Sequence, residues 1–390
     1  MSPAEAQARA ADALANLPPS PPRCVVGFDG FLDSVLRVVD TRRSPRPDDY
    51  DRIETLTAFA ERIAATSGRS TNIELDLVDV RFGGNGPLMA GGLARLGLPT
   101  TYLGAVGQAA DPTALDPAFA PLALRGADVI PFAAPGLTDA YEFRDGRINF
   151  NRPAPLRGVT PEALLKVVGR DRLLDLFRSA RLLAVVNWTL VHGADAILDL
   201  LAEDLLPAAN NPGLVLFAEL SAAARRPDED IRALLARLTR FSQTRTVVLG
   251  LNRAEAERVC AAAALDPAGL DAPGTDAAEG ERLATVAARV REHAGLHAVA
   301  LHVHRGSAVA GPDGAFWLPG RHNPSPAIQT GAGDHYNAGL AAALALGLPL
   351  PAGAALANAL AGAYVSTGDA PTRDQVIARL GPAAPAADTR

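Results

Sequence analysis

The sequence predicts an α/β protein built on a doubly wound, mostly parallel β-sheet with a small β lid. The first observation is that, from residue 180 onward, short apolar segments alternate with helical patterns. The pairs are 181–186 then 193–206, 213–218 then 228–239, and 245–250 then 252–263. Such alternation indicates parallel strands joined by crossover helices. The second observation is a set of alternating and hairpin-like segments in the first half, which favours a separate small sheet.

The first half of the chain begins with an Ala-rich helical segment over 1–17, which the Pro-rich run 18–22 ends. Cys24-Val-Val-Gly-Phe28 is a short apolar run before glycine, the form of a buried strand. The elements expected next are a helix over 51–66, a strand over 73–82, a helix over 86–96 with Pro87 in its first turn, and a strand from Thr101.

The turn pair Asp145-Gly146 predicts a hairpin over 138–150. Further along we expect a loop over 263–279, short strands over 297–318, and two Ala-rich helices over 333–346 and 351–366. The expected division is an N-terminal helix and Pro-rich linker over 1–22, the α/β domain over 23–372 with lid segments at about 33–45, 70–82 and 138–152, and a C-terminal helix and tail over 373–390.

The composition is that of a globular chain without a strong positive field. Its 390 residues are 48% hydrophobic and 21% charged, and the net charge is −6. Lys166 is the single lysine and no basic block occurs, which disfavours nucleic acid as a partner.

The expected location is the cytoplasm. Cys24 and Cys260 lack partner spacing and are expected as free thiols. Residues 1–17 carry charges where a signal peptide has its apolar region. No uncharged apolar run reaches the ~20 residues that a membrane span needs, so no membrane association is expected.

The most informative stretch is Gln329-Thr-Gly-Ala-Gly-Asp-His-Tyr-Asn-Ala-Gly339, a glycine turn that opens into a helix. Consecutive N–H groups there, together with the positive end of the helix dipole, form a site for an anion. Asp334 beside this site is a candidate general base for a hydroxyl that attacks a phosphoryl group. An ordinary loop with Asp334 as a helix N-cap is the alternative.

Two other turns place polar residues next to strands. In Phe82-Gly-Gly-Asn-Gly-Pro-Leu-Met-Ala90, Asn85 offers a donor and an acceptor to sugar hydroxyls, and a capping Asn is the alternative. In Leu249-Gly-Leu-Asn-Arg-Ala-Glu255, Asn252 and Glu255 share one face of a helix's first turn. They can orient the waters of a Mg²⁺ ion on nucleotide phosphates, and a capping box is the alternative.

The stretch after the first strand, Gly27-Phe-Asp-Gly-Phe-Leu-Asp33, carries two carboxylates of the same parity. If the segment is extended, Asp29 and Asp33 point the same way, and one or both can hold substrate hydroxyls. A turn at Asp29-Gly30 is the competing explanation for the first of them.

Taken in order, these four stretches resemble the PfkB (ribokinase-like) family of carbohydrate and nucleoside kinases. Its two signatures are matched by Gly83-Gly-Asn-Gly-Pro-Leu-Met-Ala-Gly-Gly-Leu-Ala-Arg-Leu-Gly97 and by Thr330-Gly-Ala-Gly-Asp-His-Tyr-Asn-Ala-Gly339, and its Asn-x-x-Glu motif by Asn252 and Glu255. The resemblance covers about Val25 to Thr372, nearly the whole chain.

The resemblance implies a ribokinase-like kinase that uses ATP as co-substrate and Mg²⁺. It implies Asp334 as the catalytic base, with the N–H groups of Gly331, Ala332 and Gly333 as the anion hole. The other implied residues are Asp33, Gly84 and Asn85 for the acceptor, and Asn252, Glu255, Gly306 and Asn358 for the nucleotide, with Glu255 holding Mg²⁺ through water.

The chain departs from the family pattern in its nucleotide-side loop. That loop is usually similar to Thr-Leu-Gly-x-x-Gly, whereas here it is His302-Val-His-Arg-Gly306, and we assign the two histidines no metal. The sequence of this strand and the stretch Phe217-Ala-Glu-Leu-Ser221 are similar to stretches found in the ADP-dependent sugar kinases. The Thr-Gly-Ala-Gly-Asp form and the length favour ATP.

The expected function is therefore ATP-dependent transfer of a phosphoryl group to a sugar or sugar-like hydroxyl. A nucleoside kinase, an ADP-dependent sugar kinase and an inactive kinase-like binding protein are the alternatives, whereas the absence of Gly-x-Gly-x-x-Gly after the first strand disfavours a dinucleotide enzyme. The sequence does not single out the acceptor. The lid hairpin offers a sheet edge and the apolar residues Tyr141, Phe143 and Phe150, which allow a homodimer through the lid, and Phe143 as a cover over the substrate is the alternative.

Overall fold

The computed structural model describes residues 1–270, 275–321, 323–328 and 330–381. Positions 271–274 of the predicted loop, Gln329 of the glycine motif and the predicted tail over 382–390 lie outside the described residues. Within the described ranges, no helix is both long enough and apolar enough to cross a membrane.

The described chain contains a large sheet and a small sheet. The strands are β1 (Arg23–Phe28), β2 (Phe31–Arg42), β3 (Tyr50–Arg52), β4 (Leu75–Gly83), β5 (Thr100–Gly104), β6 (Ala127–Pro131), β7 (Gly136–Phe143), β8 (Gly146–Arg152), β9 (Ala180–Val185), β10 (Val215–Glu219), β11 (Val247–Asn252), β12 (Ala298–Val303), β13 (Gly306–Gly311) and β14 (Gly314–Pro319).

The large sheet has the strand order β14-β13-β12-β11-β10-β9-β1-β5-β6. The strands from β12 to β6 are parallel, and β13 and β14 continue the sheet as antiparallel strands. After β1 the chain adds β5 and β6 on one side, and it then adds β9 to β12 on the other. The winding direction therefore changes between β1 and β9, which confirms the predicted doubly wound, mostly parallel sheet.

Helices cover both faces of this sheet, and one more, the second along the chain, packs on the small sheet. They are α1 (Pro3–Ala15), α2 (Leu56–Ala64), α3 (Asn85–Arg95), α4 (Ala120–Leu124), α5 (Pro161–Val168), α6 (Arg170–Ser179), α7 (Ala194–Leu200), α8 (Leu206–Ala209), α9 (Asp228–Ser242), α10 (Arg253–Ala262), α11 (Asp276–Ala294), α12 (Ala332–Ala345), α13 (Leu350–Thr367) and α14 (Arg373–Leu380). A π-helical turn over Leu201–Leu205 joins α7 to α8. One apolar core lies under α5 to α11, and a second lies under α1, α3, α12, α13 and α14.

The lid sheet is formed by β2, β3, β4, β7 and β8, and its register gives it two different faces. Asp33 lies opposite Arg81 on β4 and Thr138 on β7, and Thr138 lies opposite Asn151 on β8, so these polar side chains share one face. The other face, which we call the outer face, carries exposed apolar residues. They are Leu77 (56% exposed), Val80, Ile148 and Phe150 (49% exposed).

Several sequence-based element assignments were incomplete. The helix α11 begins at Asp276, inside the segment predicted to be a loop, and α5 and α6 were not predicted. Four of the seven buried residues of α11 are alanine or glycine, such as Gly280 and Ala287, which weakens the apolar pattern that Leu283, Val286 and Val290 give. The predicted helix over 51–66 is shorter, because its first residues form β3.

Candidate active site

Polar side chains meet at the carboxyl ends of the parallel strands, beside the change in winding direction. Asp29 follows β1, Asn187 follows β9, Glu219 ends β10, Asn252 ends β11 and His302 lies near the end of β12. Ligands of doubly wound sheets bind at this edge, so the topology brings these five residues to the expected location of a site.

Asp29 shapes the turn that enters α3. It is fully buried, and its carboxylate accepts the N–H groups of Asn85 at 2.9 Å and Gly86 at 2.7 Å and the side-chain amide of Asn187 at 2.7 Å. Burial raises the pKa of Asp29 to about 6, and these hydrogen bonds oppose the rise. Asp29 therefore caps α3, and both of its carboxylate oxygens are already bonded to donors of the protein.

The geometry of this turn corrects the alternative role of Asn85 as a capping residue. The N-cap position is Gly84, whose φ of 101° is in the left-handed region, and Asn85 is the first helical residue. A Cβ at position 84 would lie 2.9 Å from Asp29 Oδ2, so the turn requires glycine there. The interpretation of Asn85 as a capping residue is wrong, and its side chain is left for another partner.

Glu219 is that partner. Asn85 Nδ2 lies 3.2 Å from both carboxylate oxygens of Glu219, which also accepts the N–H groups of Asn187 at 2.9 Å and Ser221 at 2.8 Å. Burial, followed by the nearby charges of Glu255 and Asp334, raises the pKa of Glu219 well above its usual range. Because the Asn85 amide nitrogen is held by Glu219, its Oδ1 is the atom left to accept a hydroxyl.

Asp33 lies on the polar face of the lid sheet. Its carboxylate is 3.7 Å from the Arg147 guanidinium, and a Cβ at Gly83 would lie 2.8 Å from its Oδ2. Burial raises the pKa of Asp33, while a hydrogen bond with Thr138 and the charge of Arg147 oppose the rise. The structure thus gives Asp33 a charged, partly buried setting suited to binding hydroxyl groups.

Asp334 is the third residue of α12. The N-cap is Gly331, with a φ of 89° and no side-chain cap, so the interpretation of Asp334 as an N-cap is wrong. Burial is the largest cause that raises the pKa of Asp334, to about 8, and the charges of Asp29 and Glu255 add to it. A carboxylate with a raised pKa at a helix N-terminus is suited to exchange a proton with a bound hydroxyl.

A cavity of about 930 Å³ opens beside the same helix end. Five of the residues implied for the nucleotide and the anion hole line it: Asn252, Gly306, Ala332, Gly333 and Asn358. Asn358 donates its side-chain amide to the Leu318 carbonyl at 3.2 Å. Asp33, Gly84 and Asn85 lie outside this cavity, so the implied acceptor and nucleotide residues occupy separate regions.

The two histidines of the nucleotide-side loop, His302 and His304, lie in different environments. The ring of His302 contacts the turn, since a Cβ at Gly333 would lie 2.9 Å from its Cε1, and it packs against Tyr336 with ring centroids 5.0 Å apart. Burial lowers the pKa of His302 to about 4, which makes this imidazole neutral near pH 7. His304 is exposed at the cavity rim.

Asn252 and Glu255 form the capping box that the spacing allowed. Glu255 N–H donates to Asn252 Oδ1 and Asn252 N–H donates to Glu255 Oε2, both at 2.9 Å. Glu255 is only 3% exposed, and burial raises its pKa to about 7. Glu255 therefore caps α10, and its charge also raises the pKa of two other carboxylates, Glu219 and Asp334.

These carboxylates fit a hydrated Mg²⁺ ion better than a directly bound one. Within the described ranges, no three His, Cys, Asp or Glu side chains are grouped so that they could hold a metal. Mg²⁺ keeps several waters and takes one or two carboxylates beside phosphates, which agrees with a contact from Glu255 through water.

Sequence reasoning missed four residues of this site: Asn187, Glu219, Arg147 and Tyr364. Asn187 and Glu219 carried a usable signal, because each is a polar residue directly after or at the end of an apolar strand pattern. Arg147 and Tyr364 carried none, since lid pairing places Arg147 near Asp33, and only packing of α13 places the Tyr364 hydroxyl 2.9 Å from the Thr330 carbonyl.

Comparisons with known proteins identify the family of this chain. The family model described as prokaryotic ketohexokinase matches residues 4–381. A ketohexokinase from Haloferax volcanii is 27% identical over 383 residues, which cover 97% of this chain and 96% of that protein.

Solved structures share the fold. The ribokinase of Arabidopsis thaliana complexed with ribose and ATP has a TM-score of 0.59 at 17% identity, over 93% of this chain and 100% of that chain. The ribokinase of Cryptococcus neoformans in complex with ADP has a TM-score of 0.63 at 15% identity, over 92% and 99%. The predicted ribokinase-like fold is therefore confirmed.

The family match extends over nearly the whole chain, so the resemblance to the PfkB carbohydrate kinases is also confirmed. This chain is a carbohydrate kinase and belongs to the prokaryotic ketohexokinase family.

Proposed function

We propose that the protein transfers the γ-phosphoryl group of ATP to a hydroxyl of a ketohexose, with Asp334 as the general base. The observation that carries this proposal is the position of Asp334 in the first turn of α12, directly after the glycine turn that lines the cavity. The acceptor class is taken from the name of the family and of the Haloferax volcanii relative.

In the proposed step, the hydroxyl oxygen of the sugar forms a bond to the γ-phosphorus and its proton passes to the Asp334 carboxylate. The bond between the γ-phosphorus and the β–γ bridging oxygen breaks, and ADP leaves. The N–H groups of Gly331, Ala332 and Gly333 stabilise the charge that spreads over the transferred oxygens.

The sugar is held between α3 and the polar face of the lid sheet. Asp33 and the Oδ1 of Asn85 accept hydrogen bonds from its hydroxyls, and Gly84 lets the backbone approach it closely. The lid segments at about 33–45, 70–82 and 138–152 close over it as part of the domain at 23–372, which lies between the N-terminal segment 1–22 and the C-terminal segment 373–390.

The nucleotide occupies the 930 Å³ cavity, with Gly306 and Asn358 among its contacts. A Mg²⁺ ion would be held through water by Glu255, next to Asn252. When bound, it neutralises charge on the phosphates. The charge of Glu255 raises the pKa of both Glu219 and Asp334, and the charge of Asp334 adds to the rise at Glu219, and this repulsion supports a cation in their neighbourhood.

We further propose a homodimer through the lid sheet. The support is the outer face, where Leu77, Val80, Ile148 and Phe150 are exposed on one surface. Of the hairpin residues expected there, Tyr141 and Phe143 instead pack against Phe59 of α2. A cytoplasmic location is supported by two buried free cysteines and by ATP as co-substrate.

The test is Asp334→Asn assayed with D-fructose, D-ribose and adenosine against both ATP and ADP. We expect the wild-type protein to phosphorylate fructose with ATP. In the variant, kcat should fall about 10³-fold while ADP still binds, because general-base catalysis contributes about 10²–10⁴-fold. Asp313→Asn, at an exposed position, is the control. A near-wild-type kcat in Asp334→Asn would refute the role of Asp334 as the general base. A preference of the wild-type protein for adenosine as acceptor or for ADP as donor would refute the proposed substrates.

A further inference from the structure

Two consecutive backbone carbonyls at the glycine turn are each held by a side chain. Tyr364 on α13 donates its hydroxyl to the Thr330 carbonyl at 2.9 Å. His335 Nδ1 lies 2.8 Å from the Gly331 carbonyl, which also accepts the His335 backbone N–H at 3.1 Å. The rings of His335 and Tyr364 stack with centroids 3.7 Å apart and planes 12° apart. The two side chains thus pack against each other and each bonds a carbonyl of the glycine turn.

The direction of these carbonyls determines the direction of the N–H groups that follow them. In a trans peptide unit the C=O and the next N–H are coplanar and point in opposite directions. The Thr330 carbonyl shares its peptide plane with the Gly331 N–H, and the Gly331 carbonyl shares its plane with the Ala332 N–H. Tyr364 therefore sets the direction of the first N–H, and His335 sets the direction of the second.

A purely apolar role would not explain His335. Its side chain is fully buried, and in the described part of the chain its Nε2 has no hydrogen-bond partner. A carbonyl only accepts, so the Nδ1 atom carries the proton, and burial lowers the pKa of His335 to about 4, which keeps the ring neutral. A leucine would fill the space without burying a polar atom, whereas the imidazole supplies the donor for Gly331.

Position 331 is matched to Tyr364. Gly331 has a φ of 89°, and a Cβ there would lie 2.7 Å from the Tyr364 hydroxyl oxygen and 3.2 Å from Leu88 of α3. Any larger residue would displace the hydroxyl from Thr330. The hydrogen bond from Tyr364 to Thr330 therefore requires glycine at position 331.

We propose that His335 and Tyr364 are positioning residues that direct the N–H groups of Ala332 and Gly331 at the phosphoryl group in the transition state. This inference rests on the proposed function, from which it takes the anion hole and the reaction. Neither side chain needs to touch the substrate, because each acts through a peptide unit of the turn.

The test uses Tyr364→Phe and the pair His335→Asn and His335→Gln. Asparagine places an amide nitrogen where Nδ1 is, and glutamine places it where Nε2 is, so only asparagine can still donate to Gly331. We expect kcat to fall about tenfold in Tyr364→Phe and His335→Gln, and to stay within about threefold of wild type in His335→Asn, since loss of a whole donor costs about 10²–10³-fold. Tyr50→Phe, which removes a lid hydroxyl bonded to Asp76, is the matched control.

A second readout separates positioning from a general loss of structure. The affinity for ADP with fluoroaluminate and fructose, which imitates the transition state, should fall in proportion to kcat, while the affinity for ADP alone stays within about twofold. Equal losses for both ligands would indicate a structural role and refute the proposal. Unchanged kcat in folded Tyr364→Phe would refute it too, and this variant suffices if His335→Gln does not fold. Failure of the proposed function itself would appear separately, as an active Asp334→Asn.

Discussion

Asn85 donates its side-chain amide to both carboxylate oxygens of Glu219, with nitrogen–oxygen distances of 3.2 Å. These residues lie 134 positions apart in the sequence, at the start of α3 and the end of β10. The contact joins the proposed sugar site to the carboxylates beside the proposed Mg²⁺ site. It also assigns the orientation of Asn85, because both oxygens of Glu219 already accept a backbone N–H, from Asn187 and from Ser221, and so face the amide nitrogen of Asn85 as acceptors.

Glu219→Gln should disturb sugar binding more than nucleotide binding. Glutamine replaces an acceptor with an NH₂ group, so one of the N–H groups from Asn85, Asn187 or Ser221 meets another donor. We expect the KM for fructose to rise about tenfold while the KM for ATP stays within about twofold, since a buried donor left without an acceptor costs about 1–3 kcal/mol. Steady-state kinetics measure both. The exposed Glu229→Gln is the control, and an unchanged fructose KM contradicts the assignment.

Glu255→Gln separates a helix cap from a cation contact. The glutamine oxygen can still accept the Asn252 N–H, so the capping box is kept while the negative charge is lost. We expect the Tm to change by less than about 3 °C. The Mg²⁺ concentration for half-maximal rate should rise about tenfold, because Mg²⁺ prefers charged oxygen ligands. If the Mg²⁺ dependence is unchanged and the Tm falls, Glu255 is only a cap.

The sequence predicted the parallel sheet and most candidate site residues, because those signals are local. Glycines at sharp turns, a carboxylate in the first turn of a helix and the Asn252/Glu255 spacing follow from backbone geometry within a few residues. Partners that meet through the sheet topology are not local. Asp29 was assigned to a turn or to substrate because the sequence cannot show that its carboxylate faces the N–H groups of residues 85 and 86.

The helix α11 was missed for a related reason. Alanine and glycine fill four of its seven buried positions and dilute the helical period of Leu283, Val286 and Val290. Trp317 packs on the Gly280 position and specifies a small residue there. Close packing selects small residues as strongly as large ones, but only the structure shows which surface they approach.

The pH dependence of the reaction should report the raised pKa of Asp334. A general base acts only when deprotonated, and the carboxyl of Asp334 has a pKa of about 8 without ligands. We therefore expect kcat/KM to rise by about tenfold per pH unit below pH 8 and to level above it. A bound cation lowers the pKa of a neighbouring acid, so kcat should reach its plateau at lower pH. The residual kcat/KM of Asp334→Asn should lack this inflection. A wild-type kcat/KM that does not change between pH 6 and 8 would contradict the assignment of Asp334 as the base.

The outer face of the lid sheet gives a test of the homodimer. Leu77 and Val80 lie on β4 and are about half exposed, and the lid register places them on the same face as Phe150. Two lysines in place of Leu77 and Val80 would put like charges opposite each other across a two-fold contact and would prevent apolar burial.

We expect the wild-type protein to sediment with twice the 40.4 kDa mass of one chain, and the Leu77→Lys, Val80→Lys variant to sediment as a monomer. Leu124→Lys is the matched control, because Leu124 is 87% exposed on α4, outside the lid sheet, and should leave the dimer intact. Circular dichroism checks that the double variant is folded, since both side chains already contact solvent. A wild-type monomer at micromolar concentration, or a dimer that persists in the double variant, would show that the outer face does not bind a second copy.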